Sequence, residues 1–223
     1  MPDAPPGAKG ISLFLIPKIL VNDDGSLGDR NGVTCVSIEE KMGVHGSPTC
    51  VLSFDNSVGY LVGEPHKGLE AMFSMMNNER IAVGMQGLGV AEISYQNALL
   101  YAKDRLQGRD LKGAKKPSEE ADPLLVHPDI RRMLLRAKAL IDSSRMLSAW
   151  TALAIDKSVK DPDEKVRKAN HDLVELMTPI IKSILTDYGV EISSEMLQIF
   201  GGHGYIREYG MEQFYRDARI API

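Results

Sequence analysis

Three glycines stand within the four residues Gly201-Gly202-His203-Gly204, inside the segment QIFGGHGY that runs from Gln198 to Tyr205. Residues without a Cβ leave their backbone N–H groups uncovered and admit positive φ, so such a loop can press against a pyrophosphate or another chain. The same glycines would also serve as a plain helix C-cap. Gln198, one helical turn before them, carries an amide that both donates and accepts, fit for a nucleotide or for solvent. His203 is a base by its chemistry, but no carboxylate stands at a readable spacing from it, and polar surface is the plainer reading.

Four further groups carry chemistry. The run Asn77-Asn78-Glu79-Arg80 interrupts an apolar helical pattern, and an ion held there needs water, a ligand or a salt bridge within a bundle. Arg105 and Gln107, in DRLQGR, place a fork-shaped donor beside an amide, which suits a phosphate; basic residues at helix C-termini are also common for dipole reasons. Arg216, Asp217 and Arg219 read as a structural ion-pair cluster near the chain end. Met72, Met75 and Met76 suit either an adaptable apolar pocket or an ordinary core.

The elements that must position these groups follow from apolar period and punctuation. From Met1 to about Gly63 the runs are short and bounded by Gly, Pro or Asn: Ile11 to Val21 with a proline inside it, a turn at Asp23-Asp24-Gly25, then Val33 to Ile38 and Cys50 to Phe54. These are strands. From Lys67 to Lys103 the apolar residues recur at helical spacing, which predicts one long helix. A second helix is expected from Pro128 to about Lys157, with small residues alternating along its stripe at Ala137, Ser144, Thr151 and Ala154, where a neighbour can approach closely. A third should cover about Asp163 to Tyr188, kinked or interrupted at Pro179 and ended by Gly189. A fourth is expected from Ile192 to Phe200, and a short one between Glu208 and Ala218. Gly108 to Val126 is rich in Lys, Glu, Gly and Pro and reads as a solvated connection. The chain is thus an α+β fragment, mainly α, with residues 1–65 in a β-domain and residues 66–223 in a helical bundle.

Composition narrows the function classes. The net charge of −4 is spread without long runs of one sign, which excludes a broad phosphate-backbone footprint, and nucleic acid is not an expected partner. Cys35 and Cys50 have no His or Cys near them in a metal-ligand pattern, so no metal is expected, and both are expected to be buried thiols of a reducing compartment. The first residues lack a basic region followed by a long apolar one, and no run approaches a membrane span; a soluble, cytoplasmic protein is expected.

Taken jointly, QIFGGHGY followed by EYGMEQFYRDARI resembles the C-terminal signature of acyl-CoA dehydrogenases. KGLEAMFSMMNNERIAVGMQGLGVAE is similar to a helix of the same family, and KMGVHGSPTCVLSFDN with YLVGEPHKGL resembles the last strands of its middle β-domain. HGSPT, GYLVGEPHKGL and DRLQG are similar to the large bacterial subclass that includes 3-methylmercaptopropionyl-CoA dehydrogenase. The resemblance covers almost the whole chain. It implies a partial middle β-domain followed by a C-terminal four-helix bundle, and an FAD-dependent enzyme that converts an acyl-CoA thioester to a trans-2-enoyl-CoA. It further implies a homodimer or homotetramer and an electron-transfer flavoprotein as electron acceptor. Gln198, Gly201 and Gly202 are the implied contacts to the adenosine diphosphate half of FAD held by a neighbouring subunit, and Arg105 and Gln107 the implied contacts to its pyrophosphate. Asn77 and Arg80 fall where the family meets the acyl-CoA substrate, although the family often has an acidic residue where Asn77 stands. His127 resembles a lesser flavin-side position whose usual following Gln is here Pro128. The family's catalytic Glu would lie beyond Ile223, neither Glu208 nor Glu212 matches that role, and no catalytic residue is assigned; the chain alone is expected to be inactive. An acyl-CoA oxidase on the same scaffold and a non-catalytic helical assembly module are the competing readings.

Overall fold

The structure is a computed structural model describing Met1 and residues 3–223. It divides into two units, Met1–Glu79 and Arg80–Ile223, with the division inside a long helix, α1 (Gly68–Asp104).

The first unit carries β1 (Leu13–Leu15), β2 (Ile19–Val21), β3 (Leu27–Arg30), β4 (Val33–Ile38), β5 (Cys50–Phe54) and β6 (Tyr60–Val62). They pair antiparallel as three two-stranded sheets, β1 with β6, β2 with β3 and β4 with β5. Pro17, which has no N–H to give a ladder, splits the apolar run into β1 and β2. The turn after β2 is set by Asp24, whose carboxylate accepts from the Ser26 backbone N–H at 2.9 Å and hydroxyl at 2.6 Å. Asn31 ties the sheets together. It is 4 % exposed, donates to the carbonyls of Pro17 (2.8 Å) and Val58 (2.7 Å), and accepts from the Val58 N–H (2.7 Å). Replacing Asn31 by Ala removes all three bonds of this buried side chain and should destabilise the chain by about 2 kcal/mol. Chemical denaturation reads this directly, and an unchanged midpoint would refute it.

Cys35 and Cys50 are exposed, against the expectation of buried thiols. A lone two-stranded ribbon has no interior: β4 and β5 also leave Val36, Ile38, Val51, Leu52 and Phe54 exposed. The burial habit of cysteine operates only where an interior exists.

In the second unit α1 continues to Asp104 and is followed by α2 (Pro128–Lys160), α3 (Glu164–Ile199) and a short α4 (Met211–Ala218). Proline at the first position of α2 suits the helix start, where its missing N–H has no helical partner to lose. Asp163 caps α3 by accepting from the Lys165 N–H at 2.9 Å. The expected small stripe of α2 is buried at Ala137, Ser144, Thr151 and Ala154. Together with Leu88 and Ala98 of α1, and Ile181, Leu185, Ile192 and Met196 of α3, Ala137 lies in one core. Arg136 of α2 pairs with Glu191 and, at 3.0 Å, with Glu195 of α3, while Arg145 reaches Glu92 of α1 at 2.7 Å.

The expected third and fourth helices are one. α3 passes through both Pro179 and Gly189. Gly189 is not a stop signal here but a crossing point. A Cβ on it would lie 2.9 Å from the Gly87 carbonyl oxygen, and a Cβ on Gly87 would lie 2.5 Å from that of Leu185. Glycine brings the backbones of α1 and α3 into contact, and that packing holds the helix through a residue of poor helix propensity.

Candidate functional site

α3 ends at Ile199, and Gly201–Tyr205 turns away as a short 3-10 segment. The glycines in this turn differ in why they lack a side chain. A Cβ on Gly204 would stand 2.5 Å from the Leu197 carbonyl oxygen, so packing forbids one. Gly201 has φ of +56°, which favours glycine, but a Cβ there would meet no atom within 4 Å. Gly202 has neither a positive φ nor a neighbour within 4 Å. Nothing within the described residues requires glycine at that position, and its exposed backbone leaves room for a group from outside. Gln198 is exposed one turn earlier, and its side chain has no hydrogen-bond partner among the described residues.

His203 is not the unpartnered surface residue its sequence neighbourhood indicates. Its Nδ1 lies 2.8 Å from the hydroxyl oxygen of Tyr101 on α1, and its ring stacks on Tyr209 with centroids 4.5 Å apart and planes 7° from parallel. Tyr101 in turn stacks on Phe200 at 4.0 Å. The partner lies 102 residues earlier in the chain, where no local spacing could reveal it.

Arg105 and Gln107 follow the end of α1 on a short extended segment. The Gln107 N–H donates to the Asp122 carbonyl and the Leu124 N–H to that of Arg105, both at 2.9 Å, around a bridge between Leu106 and Pro123. Alternation along an extended backbone puts Arg105 and Gln107 on one side, and both are exposed, while Leu106 between them is half-buried. Neither side chain has a hydrogen-bond partner among the described residues. His127 Nε2 lies 2.8 Å from the Gln107 carbonyl oxygen, so the ring braces this backbone. A cavity of about 390 Å³ beside the bridge is lined by Lys103, Lys115 and Arg131 against a single acid, Asp110, and this excess of cations suits an anion.

The connection Gly108 to Val126, expected to be merely solvated, is organised around Asp122. That carboxylate is fully buried and accepts from the backbone N–H groups of Asp110 (3.0 Å), Lys115 (2.9 Å) and Lys116 (2.7 Å), with Arg109 at 3.4 Å. Burial alone would raise its pKa. The three N–H donors and the Arg109 charge outweigh it and hold the carboxyl at about 2.

Tyr101 brings the two groups of residues to one end of the second unit, because its ring holds His203 while its carbonyl accepts from the Arg105 N–H at 2.8 Å. Asn77 and Arg80 lie elsewhere on α1, Asn77 exposed and Arg80 half-buried, and neither has a side-chain hydrogen bond among the described residues. Arg216 pairs chiefly with Glu212, one turn back on α4, with a second contact at 3.1 Å, and the charge of Asp217 acts on it as well. Glu212 is therefore engaged in an ion pair. Among the described residues no group of three or more His, Cys, Asp or Glu is placed to hold a metal, and no helix is long and apolar enough to cross a membrane.

The family model described as acyl-CoA dehydrogenase, C-terminal domain, matches residues 66–223. The chain is 47% identical over 222 residues to 3-methylmercaptopropionyl-CoA dehydrogenase of Ruegeria pomeroyi, covering 100% of this chain and 37% of that protein. It is 37% identical over 227 residues to a butyryl-CoA dehydrogenase of Syntrophomonas wolfei, covering 98% and 37%. The solved butyryl-CoA dehydrogenase of Megasphaera elsdenii superposes with a TM-score of 0.74 at 28% identity, over 98% of this chain and 49% of that one. The chain spans little more than a third of the length of these two curated relatives.

Proposed function

The chain belongs to the acyl-CoA dehydrogenase family, and from that premise we propose that the whole protein is an FAD-dependent enzyme converting an acyl-CoA thioester to a trans-2-enoyl-CoA. In this reading residues 1–65 end the middle β-domain and residues 66–223 form the C-terminal helical domain. The observation that carries it is the bare backbone at Gly202, a position where neither φ nor packing demands glycine, next to an unpartnered Gln198.

The residues present fit the cofactor. Gly201 and Gly202 offer backbone N–H groups, and Gln198 an amide, to the adenosine diphosphate half of an FAD held by a neighbouring subunit. Arg105 presents a planar fork to the pyrophosphate with Gln107 beside it, on a backbone braced by His127 and Asp122. Asn77 and Arg80 face the acyl-CoA. The bound flavin would supply the acceptor for the hydride leaving the substrate. No residue of this chain is assigned as the base, so turnover belongs to the whole protein and the isolated chain is inactive. The partners that complete the reading are a second copy in a homodimer or homotetramer and an electron-transfer flavoprotein, in the cytoplasm.

Gly202→Ala separates this from a structural turn. The added methyl group meets nothing within 4 Å in the chain, so the thermal midpoint of the flavin-free protein should stay within about a degree of the parent's. FAD affinity of the whole protein, read by flavin fluorescence, should fall at least tenfold. Unchanged affinity would remove the turn from the cofactor site, and peroxide release in place of electron transfer to a flavoprotein would make the enzyme an oxidase.

A further inference from the structure

We propose that Tyr101 and His203 are positioning residues that set the Gly201–Gly202 turn for FAD, an inference that rests on the reading of that turn given above. Two adjacent glycines with no packing on their Cβ positions sample many backbone conformations, and fixing them only on binding would weaken the complex. The chain fixes them beforehand by clamping both flanks to one side chain. Phe200, immediately before the glycines, stacks on Tyr101 with centroids 4.0 Å apart and planes at 19°. His203, immediately after them, meets the Tyr101 hydroxyl at 2.8 Å. Tyr209 closes the group, stacked on His203 and edge-on to Tyr101 at 6.5 Å. The imidazole thus has one face covered and Nδ1 engaged, an arrangement that holds a ring in place. Because the Tyr101 carbonyl also accepts from the Arg105 N–H at 2.8 Å, the same residue keeps the two cofactor-facing segments at one end of the unit.

The decisive link is a single hydrogen bond, which double substitution in the whole protein can isolate. Tyr101→Phe keeps the stack on Phe200 and removes only the hydroxyl, and His203→Phe keeps a ring against Tyr209 and removes Nδ1 together with Nε2, which has no hydrogen bond among the described residues. Each should raise the dissociation constant for FAD roughly tenfold, as measured by flavin fluorescence on titrating flavin-free protein. The double variant should be no worse than either single one, since both remove the same bond. His203→Asn, whose Oδ1 can accept from the tyrosine, should recover most of the affinity. Multiplying effects in the double variant, or unchanged affinity in Tyr101→Phe, would overturn the proposal. Gly202→Ala tells apart the two ways of failing. If it weakens FAD while Tyr101→Phe does not, the positioning role falls and the turn's role stands. If neither weakens FAD, the turn was not a cofactor site and both fall.

Discussion

Gly87→Ala should destabilise the helical unit by about 3 kcal/mol, although alanine is the better helix former. In a free helix the change would gain about 1 kcal/mol. At Gly87 the new Cβ would lie 2.5 Å from the Leu185 carbonyl oxygen and 2.9 Å from both the Leu185 carbonyl carbon and the Thr186 Cα. These are backbone atoms of α3 and cannot rotate away, so α1 must lift from its neighbour. The movement pulls apart the buried contacts around Leu88, Ala91, Ile181 and Leu185. Gly89, two residues further on, is the internal control. It is exposed, and a Cβ there meets nothing within 4 Å, so Gly89→Ala should stabilise by about 1 kcal/mol. Denaturant midpoints of the two variants should move in opposite directions. Two shifts of the same sign would show that propensity, not the crossing, sets the response.

That crossing also marks the limit of what local pattern reveals. A glycine near the end of an apolar helical stripe gives the same signal whether it caps the helix or makes room for another one. Gly189 reads as a stop until Gly87 is known to lie against it. Elements whose cause is local were legible: β4 and β5 run over the expected residues, α2 starts at Pro128, and the small stripe of α2 is buried. The site divides in the same way. Arg105, Gln107, Gln198, Gly201 and Gly202 are exposed, and it was the resemblance to the family, not their residue types, that singled them out. Tyr101 gave no signal, being one of many residues on a helical stripe. Its value comes from contacts with Phe200, His203 and Tyr209 across the fold. Cys35 and Cys50 failed for the complementary reason: a residue average stood in for a sheet whose layering the sequence did not disclose.

Asp122 is the sharpest case of a hidden cause, and its removal should have the second large effect. In sequence it closely follows Glu119 and Glu120 in a polar stretch, and nothing there sets it apart as a carboxylate that is buried. One of its oxygens accepts from the Lys115 and Lys116 N–H groups and the Arg109 guanidinium, the other from the Asp110 N–H. Asp122→Ala removes the acceptor of all of these donors and should free residues 109–121, which carry Arg109, Lys112 and Lys115 as trypsin sites, Lys116 being protected by the following Pro117. Limited proteolysis should cut this loop at least tenfold faster in the variant, and equal rates would contradict the assignment. The loosening should reach the cofactor-facing residues, because the Gln107 N–H is held by the Asp122 carbonyl. Acid should reproduce the effect. The folded-state pKa of about 2 lies below the ordinary value of 3.8, so between these pH values the unfolded chain binds more protons than the folded one. The contribution of Asp122 to stability is therefore fully present above about pH 4, declines as pH falls through that window, and is gone below about pH 2. A carboxyl titration followed by NMR should place the Asp122 midpoint near 2, and in Asp122→Asn the loop's pH dependence across the window should vanish. A midpoint near the ordinary value would mean that the backbone N–H groups do not hold the carboxylate, and that the loop is ordered by something else.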